Sequence, residues 1–278
     1  MDMPVAYSYF EAMYTRMEMI FPDLAENIAL DLVRNIFNET VRLDTKLNRF
    51  NELSIVSELN NRTTNIPIEV DDEMFYILQQ CSYFYQITKG FFDITIQSKV
   101  ELPFSSTRYL LDEKTKTVTF VHPKIQIDLG GFAKGYALQK IENLLKEYSV
   151  KNCVVNFGNS SVITVGHHPF GDSWNIGIEH PMHKNESLEI IALKDNALSV
   201  SGNIPKKPKH IISPATHKYI NGVKMIVVIG SSPLISEILS TALFAAPSNV
   251  KGQILLNFPE YRMKQLMYQE QGKTIVYS

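Results

Sequence analysis

The order in which helices and strands are predicted along this chain limits the fold more than any other feature of the sequence. Alternating aromatic and apolar residues predict strands over 7–21, and helical spacing then predicts helices over about 23–47 and 72–89. Strands dominate the rest of the chain, with further long helices over 133–148 and 233–245. Parallel sheets need a crossover helix between successive strands. Groups of strands without that alternation predict an α+β fold, in which antiparallel sheets pack against helices.

Residues with strong conformational preferences mark where the predicted elements begin and end. Asp23 is a favoured N-cap residue for the first long helix, and Gly90 suits the left-handed position that ends the second. Short apolar runs predict strands, among them IQIDL at 125–129, ILLNF at 254–258 and TIVYS at 274–278. Neither a repeat of solenoid length nor a low-complexity linker divides the sequence, which predicts one domain over residues 1–278.

The charge balance and the N-terminus exclude several classes of function. The chain has 27 basic and 29 acidic residues, a net charge of −2, which gives no reason to expect a nucleic-acid partner. No apolar run approaches transmembrane length, and the N-terminus has neither a signal-peptide pattern nor a cysteine to lipidate. We therefore expect a cytoplasmic protein without membrane insertion. Cys81 and Cys153 lie in apolar patterns and are interpreted as buried side chains.

The segment IDLGGFAKGY at 127–136 is the most distinctive in the sequence. A predicted strand ends at a double glycine, and Lys134 falls in the first turn of the following helix. A helix N-terminus presents free N–H groups, glycines let the backbone approach a ligand, and a lysine adds positive charge. The segment favours phosphate binding, with a plain strand-to-helix turn as the alternative. It matches neither a Walker A loop nor a G-x-G-x-x-G fingerprint.

Two other places in the sequence could supply chemistry. Glu237 and Thr241 are four residues apart on a predicted helix, so they share a face and could give two hard oxygen ligands to Mg²⁺. A solvated or capping pair is the alternative. His210 ends a loop rich in proline and lysine. It could be an acid–base catalyst or a structural histidine, because catalysis requires a partner that the sequence does not identify.

These segments, taken in order, resemble the FAD:protein FMN transferase (ApbE) family along nearly the whole chain. The most specific is IDLGGFAKGYALQK, which is similar to the family's Asp-Leu-Gly-Gly-Ile-Ala-Lys-Gly-Tyr. The run SEILSTALFAA is similar to Ala-Asp-Ala-Leu-Ser-Thr-Ala-Leu, and HIISPATH is similar to His-Ile-Ile-Asp-Pro-x-Thr-Gly. Further similarity is found in SYFEAMYT, NRFNELSIVSELN, GFFDIT, VVNFGNS, WNIGIEHP and ALSVSGN.

The resemblance implies a T-fold-like α+β architecture of two intimate halves, with FAD in the cleft between them. It also implies Mg²⁺-dependent transfer of FMN from FAD to a threonine of an acceptor flavoprotein subunit, with release of AMP. By position, His210 would be the acid–base catalyst, and the metal would be held by Glu237, Thr241 and the main-chain carbonyl of Gly131. The flavin site would include Met13, Phe50, Phe91, Phe92, Asp93, Asp128, Lys134 and Ile211.

Several positions depart from the family pattern. Glu237 stands where the family has a metal-binding aspartate, and Ser213 replaces the aspartate of the His-Ile-Ile-Asp motif. Tyr14 and His217 replace glycines. The family's Gly-Gly-Asp segment is Gly158-Asn159-Ser160 in this chain. Loss of these two carboxylates weakens the binding of a hard cation and removes general-base assistance. Two alternatives to a transferase therefore stay open: a degenerate FAD-binding protein without transferase activity, and a FAD pyrophosphatase that produces free FMN and AMP.

Overall fold

The computed structural model describes residues 5–268 except 101, 105, 184 and 204–210, together with the backbone of 275–277. Its helices are α1 (Glu26–Leu47), α2 (Ile55–Asn61), α3 (Asp72–Ile87), α4 (Ala133–Glu147), α5 (Pro233–Ala245) and α6 (Ser248–Leu255). The strands of the first half are β1 (Ala6–Ala12), β2 (Thr15–Phe21), β3 (Ile68–Glu69), β4 (Tyr109–Asp112) and β5 (Thr117–Phe120). Those that follow are β6 (Cys153–Phe157), β7 (Ser161–Val165), β8 (Trp174–Glu179), β9 (Ser187–Leu193), β10 (Ala197–Gly202), β11 (Lys224–Gly230), β12 (Arg262–Met267) and β13 (Ile275–Tyr277).

One large antiparallel sheet organises the molecule. It has eight strands in the order β1-β2-β6-β7-β10-β11-β12-β13, and each neighbouring pair runs antiparallel. Two smaller antiparallel sheets have the orders β3-β5-β4 and β8-β9. The predicted α+β fold with antiparallel sheets and packed helices is therefore confirmed.

Both faces of the main sheet are covered. Side chains of a strand point alternately to the two faces, so Val155 and Ile163 join the core under α1, α4 and α5. Their neighbours Val154 and Val162 join a second cluster with Trp174, under the β8–β9 hairpin. Three layers result, with helices on one face of the sheet and a hairpin on the other. None of the helices in the described ranges is long and apolar enough to cross a bilayer.

The predicted helix ends are correct in one case and wrong in another. Gly90 has φ of 81°, and its N–H donates to Tyr85 O at 2.7 Å, so a left-handed glycine closes the segment after α3 as predicted. The N-cap of α1 is Ala25 rather than Asp23. The reason is that the Asp23 carboxylate accepts a hydrogen bond from Asn152 at 2.9 Å instead.

Two predicted strands are absent. Residues 125–129 are extended but have no strand partner, because Ile127 exchanges hydrogen bonds with the Asn60 side chain at 2.6 and 2.9 Å. Residues 254–258 lie at the end of α6 and in the turn after it. Ile254 and Phe258 are both buried at a spacing of four residues, and a short apolar run of this kind fits a helix end as well as a strand.

The two cysteines are buried, as predicted. Desolvation raises the pKa of the Cys81 thiol, and it raises the pKa of Cys153 to about 12. Both therefore stay protonated near neutral pH and act as small apolar side chains of the core.

A network of charged side chains joins three helices around Glu73. The Glu73 carboxylate accepts hydrogen bonds from Arg42 and Lys46 of α1 at 2.7 and 2.8 Å, and from the Tyr136 hydroxyl of α4 at 3.2 Å. Its side chain is 19% exposed. Arg42 lowers the pKa of Glu73 to about 2, and Lys46 adds to the effect against the cost of burial.

Glu73→Gln should destabilise the protein in a pH-dependent way. The pKa of Glu73 is depressed in the folded state, so its contribution is present above the ordinary value of 4.5 and is lost as the pH falls towards about 2. We expect a loss of about 1–3 kcal/mol in the free energy of unfolding near pH 7. The loss should be much smaller at about pH 2.5. Urea unfolding at both pH values measures it.

Glu113→Gln, in the exposed turn between β4 and β5, is the matched control and should leave stability unchanged at both pH values. If Glu73→Gln were as stable as the wild type at neutral pH, the network would not contribute as described.

Candidate functional site

The glycine turn before α4 is held in shape by Asp128. Its Oδ1 accepts from the N–H of Gly130 at 2.9 Å, and its Oδ2 pairs with Arg49 at 3.0 Å. The N–H of Ala133 donates to Leu129 O at 2.8 Å, so the helix begins directly after the turn. The predicted double glycine and helix N-terminus are therefore present, but the segment before them is extended chain and not the predicted strand.

Lys134, in the first turn of α4, points towards the main sheet and not into solvent. Its Nζ lies 2.6 Å from Glu237 Oε1, 2.8 Å from Ser161 Oγ and 3.0 Å from Ser160 Oγ. Glu237 is 5% exposed, so this is a nearly buried ion pair between α4 and α5. Such a pair is stabilising only when hydrogen bonds satisfy the remaining polar atoms.

Hydroxyl groups supply those hydrogen bonds. Ser161 and Ser199 donate to Glu237 Oε2 at 2.6 and 2.8 Å. Ser240 Oγ lies 3.0 Å from Ser199 Oγ and 2.8 Å from Ser201 Oγ, which in turn is 3.4 Å from Thr241 Oγ1. We name the group around Glu237 the hydroxyl cluster; it consists of Ser160, Ser161, Ser199, Ser201, Ser240 and Thr241.

Two glycines let α5 approach the turn and α4 closely. A Cβ at Gly131 would lie 3.2 Å from Thr241 Oγ1, and one at Gly135 would lie 2.6 Å from Glu237 Cβ. The structure therefore brings together four of the residues selected from the sequence: Gly131, Lys134, Glu237 and Thr241.

The serines of the hydroxyl cluster were not identified as site residues from the sequence. A signal for two of them was present, because Ser199 and Ser201 alternate with apolar residues along β10 and are 1% and 9% exposed. Serines at inward positions of a strand are unusual, since buried hydroxyls need hydrogen-bond partners. Their common partner, Glu237, lies on a different element and could not be inferred from spacing.

The three phenylalanines selected from the sequence lie in different environments. Phe50 is 75% exposed, with the Arg49 guanidinium 5.5 Å from its ring centroid. Phe91 and Phe92 are 6% and 2% exposed and belong to the core. The ring of Phe50 is therefore accessible to a ligand from solvent, whereas Phe91 and Phe92 support the segment that carries Asp93.

The remaining predicted residues are placed as follows. Asp93 accepts from the Thr95 N–H and hydroxyl at 2.7 and 2.6 Å. The next residue, Ile94, accepts through its carbonyl from the Asp128 N–H at 2.7 Å, which brings the Asp93 and Asp128 segments side by side. Met13 lies in the β1–β2 turn and Ile211 lies in the core. His210 lies outside the described residues.

The oxygen donors near Glu237 can be compared with the needs of Mg²⁺. In the part of the chain that the structure describes, no group of three or more His, Cys, Asp or Glu side chains could hold a metal ion. A cation at Glu237 would therefore also need hydroxyl and carbonyl oxygens, such as those of Thr241 and Gly131. These hard donors suit Mg²⁺, which commonly binds one or two carboxylates together with phosphate oxygens. Because Lys134 already neutralises Glu237, the donors fit Mg²⁺ when a phosphate ligand adds negative charge.

Comparison with known proteins identifies the family. The sequence matches the ApbE family over residues 13–262. The chain belongs to the ApbE family. Similar proteins include the FAD:protein FMN transferases of Chlamydia trachomatis and Klebsiella pneumoniae, each 25% identical to this chain. The first match covers 81% of this chain and 78% of the relative, and the second covers 77% and 75%.

Solved ApbE structures have the same fold. The crystal structure of the ApbE protein from Thermotoga maritima is 22% identical, with a TM-score of 0.80 over 98% of this chain and 96% of its own. The flavin transferase ApbE from Vibrio cholerae is 18% identical, with a TM-score of 0.81 over 99% and 98%. The family and the fold predicted from the sequence are therefore both confirmed.

Gly135→Ala tests the close approach of α4 and α5 at the site. The added Cβ would lie 2.6 Å from Glu237 Cβ and 2.9 Å from the Pro233 carbonyl oxygen, so the helices must separate. We expect a loss of about 1–3 kcal/mol in the free energy of unfolding. The control is Gly252→Ala in α6, where a Cβ has open space. That change should stabilise by about 0.5–1 kcal/mol. Equal effects of the two substitutions in chemical unfolding would contradict the close approach.

Proposed function

We propose that this chain is a FAD:protein FMN transferase. It moves FMN from FAD to a threonine hydroxyl of an acceptor flavoprotein, with Mg²⁺, and releases AMP. In this proposal residues 1–278 form one domain, and FAD lies in the cleft between its two halves. The relatives that carry this name support the proposal. The observation that carries most weight is the convergence of Lys134, Glu237 and Thr241 at the glycine turn.

The start of α4 is suited to bind the diphosphate of FAD. Its N-cap, Phe132, makes no side-chain cap, and its first turn contains no acidic residue. The partial positive charge of the helix N-terminus is therefore available to an anion, and Lys134, although paired with Glu237, adds positive charge in the same turn. Asp128 holds the turn through Gly130, which keeps the N–H groups of α4 oriented.

The chemical step needs one bond formed and one broken. The threonine oxygen of the acceptor bonds to the FMN phosphorus of FAD, while the bond from that phosphorus to the bridging oxygen breaks. AMP leaves with the bridging oxygen, and the hydroxyl proton passes to a base. The resemblance to the family assigns that base to His210, outside the described residues. Phosphoryl transfer depends mainly on positioning and on neutralising charge, which fits a site with a lysine and hard oxygens.

The metal would be held by Glu237, Thr241 and the carbonyl of Gly131 together with diphosphate oxygens. When bound there, Mg²⁺ supplies charge neutralisation at the phosphoryl group that is transferred. Ser161 and Ser199 orient the Glu237 carboxylate through Oε2. Lys134 holds the other oxygen, Oε1, from the first turn of α4, so the carboxylate is tied to the helix that begins at the glycine turn.

Incubation with FAD and Mg²⁺ tests the proposal directly. With an acceptor that carries a threonine in the target position, we expect AMP and protein-bound flavin in equal amounts. A matched acceptor with valine at that position should give neither product above background. AMP with free FMN and no acceptor dependence would indicate a pyrophosphatase, and FAD binding without AMP would indicate a non-catalytic family member.

Substitution of Glu237 tests the metal assignment. Glu237→Gln keeps the side-chain size but removes the charge, and should lower Mg²⁺-dependent AMP release by about 100-fold or more. Glu237→Asp keeps the charge and should retain Mg²⁺-dependent AMP release, although the Mg²⁺ concentration that gives half of the maximal rate should change. Glu260→Gln, at an exposed position, is the control and should behave as the wild type. AMP release that is equally metal-independent in wild type and Glu237→Gln would sink the metal assignment.

A further inference from the structure

The tip of the β1–β2 hairpin has bulky residues in a conformation that favours glycine. Ala12 pairs with Thr15, so Met13 and Tyr14 form a two-residue turn, with φ of 50° and 61°. Two-residue turns with positive φ at both positions strongly prefer Asn-Gly, and a large aromatic residue there is strained. The family pattern has glycine at position 14, where this chain has tyrosine.

Burial does not offset this strain. Tyr14 is 81% exposed and Phe50 is 75% exposed, and their rings meet edge to face at a centroid distance of 6.3 Å. Side chains that stay this exposed gain little from the hydrophobic effect. Strained residues that the surroundings hold in place are concentrated at functional sites. A ring at position 14 therefore has no gain from burial to set against the strain of the turn.

Hydrogen bonds fasten the tip of the hairpin, including the Tyr14 hydroxyl, to the C-terminal end of α1. The N–H of Met13 donates to Asp44 Oδ2 at 2.9 Å, and Asn48 Nδ2 donates to the Tyr14 hydroxyl at 3.2 Å. Asp44 lies in the last turn of α1 and Asn48 is its C-cap, so the hairpin tip is fastened to the segment that leads to Phe50. An aromatic surface that is already ordered loses little conformational entropy when a ligand binds.

The two exposed rings are connected to the glycine turn. Arg49 lies beside the Phe50 ring, with 5.5 Å from the guanidinium carbon to the ring centroid. The same guanidinium pairs with Asp128 at 3.0 Å, and Asp128 holds the turn before α4. A ligand with its phosphates at that turn could therefore extend an aromatic ring towards Tyr14 and Phe50.

We propose that Tyr14 contacts the flavin ring of FAD and, with Phe50, sets the preference of this site for that ring. This inference rests on the proposed function, because it concerns the substrate of the same site. The planes of the two rings meet at 88°, so a planar ligand can stack on one ring and meet the edge of the other. Glycine at position 14 offers no such contact, which makes Tyr14 a specificity-determining residue of this chain.

Tyr14→Gly distinguishes a ligand contact from a purely structural ring. Glycine relieves the strain of the turn, so the thermal unfolding temperature should rise. Loss of a stacked ring should weaken FAD binding by about tenfold. ADP has the diphosphate and the adenosine but no flavin, so its affinity should be equal in wild type and variant. Calorimetric titration of wild type and Tyr14→Gly with FAD and with ADP measures the four affinities. Thermal unfolding of the same two proteins measures their unfolding temperatures.

Two further variants complete the test. Tyr14→Phe keeps the ring and loses only the hydrogen bond from Asn48, so it should bind FAD at most about threefold more weakly than the wild type. Tyr9→Ala removes an exposed tyrosine of the same hairpin, 60% exposed on β1, and should leave FAD affinity unchanged. If the wild type binds FAD and Tyr14→Gly binds it equally tightly, the role of Tyr14 is overturned and the proposed function stands. A wild type that binds ADP and FAD equally would also overturn it, and one that binds neither would overturn both.

Discussion

The nearly buried ion pair between Lys134 and Glu237 is the interaction on which the rest of the site depends. It joins the first turn of α4 to the middle of α5, and the hydroxyl cluster ties it to β7 and β10 of the main sheet. Removing water from two charges is costly, and the cost is recovered only when every polar atom finds a partner. Ser161 of β7 and Ser199 of β10 provide those partners, so one charged pair links two helices to two strands of the main sheet.

This arrangement requires helices that lie unusually close together. Gly135 permits α5 to pass where any larger residue would meet the Glu237 Cβ or the backbone at Pro233. Gly131 does the same for Thr241 at the turn. The glycines of the segment thus have different functions, since Gly130 shapes the turn with Asp128 while the other two set distances between elements. Similarity to the family motif at these positions therefore reflects the packing of elements and the shape of the turn.

Local patterns predicted local features well. The glycine turn, the shared face of Glu237 and Thr241 and the helix-ending Gly90 follow from spacings of a few residues, which the chain's own geometry fixes. The serine partners of Glu237 lie on strands whose register depends on distant segments. The spacing of residues along the sequence therefore does not reveal that these serines contact Glu237. The extended run at 125–129 was predicted as a strand because its residues suit one, but Asn60 takes its hydrogen bonds. The position of that segment in the fold, and not its local propensity, therefore determines its conformation.

The pairing of β2 with β6 sets a condition on how the chain can fold during synthesis. Met17 lies opposite Phe157, so the β2 edge of the N-terminal hairpin stays unpaired until the ribosome has synthesised β6. Until then β2 presents unpaired N–H and C=O groups, the kind of edge that recruits strands from other chains. Closing so long a loop also costs entropy before the contact can form. A ribosome-bound N-terminal half can therefore form α1, α2 and α3 before the main sheet is complete, and the β2 edge stays open to strands of other chains until β6 has been synthesised.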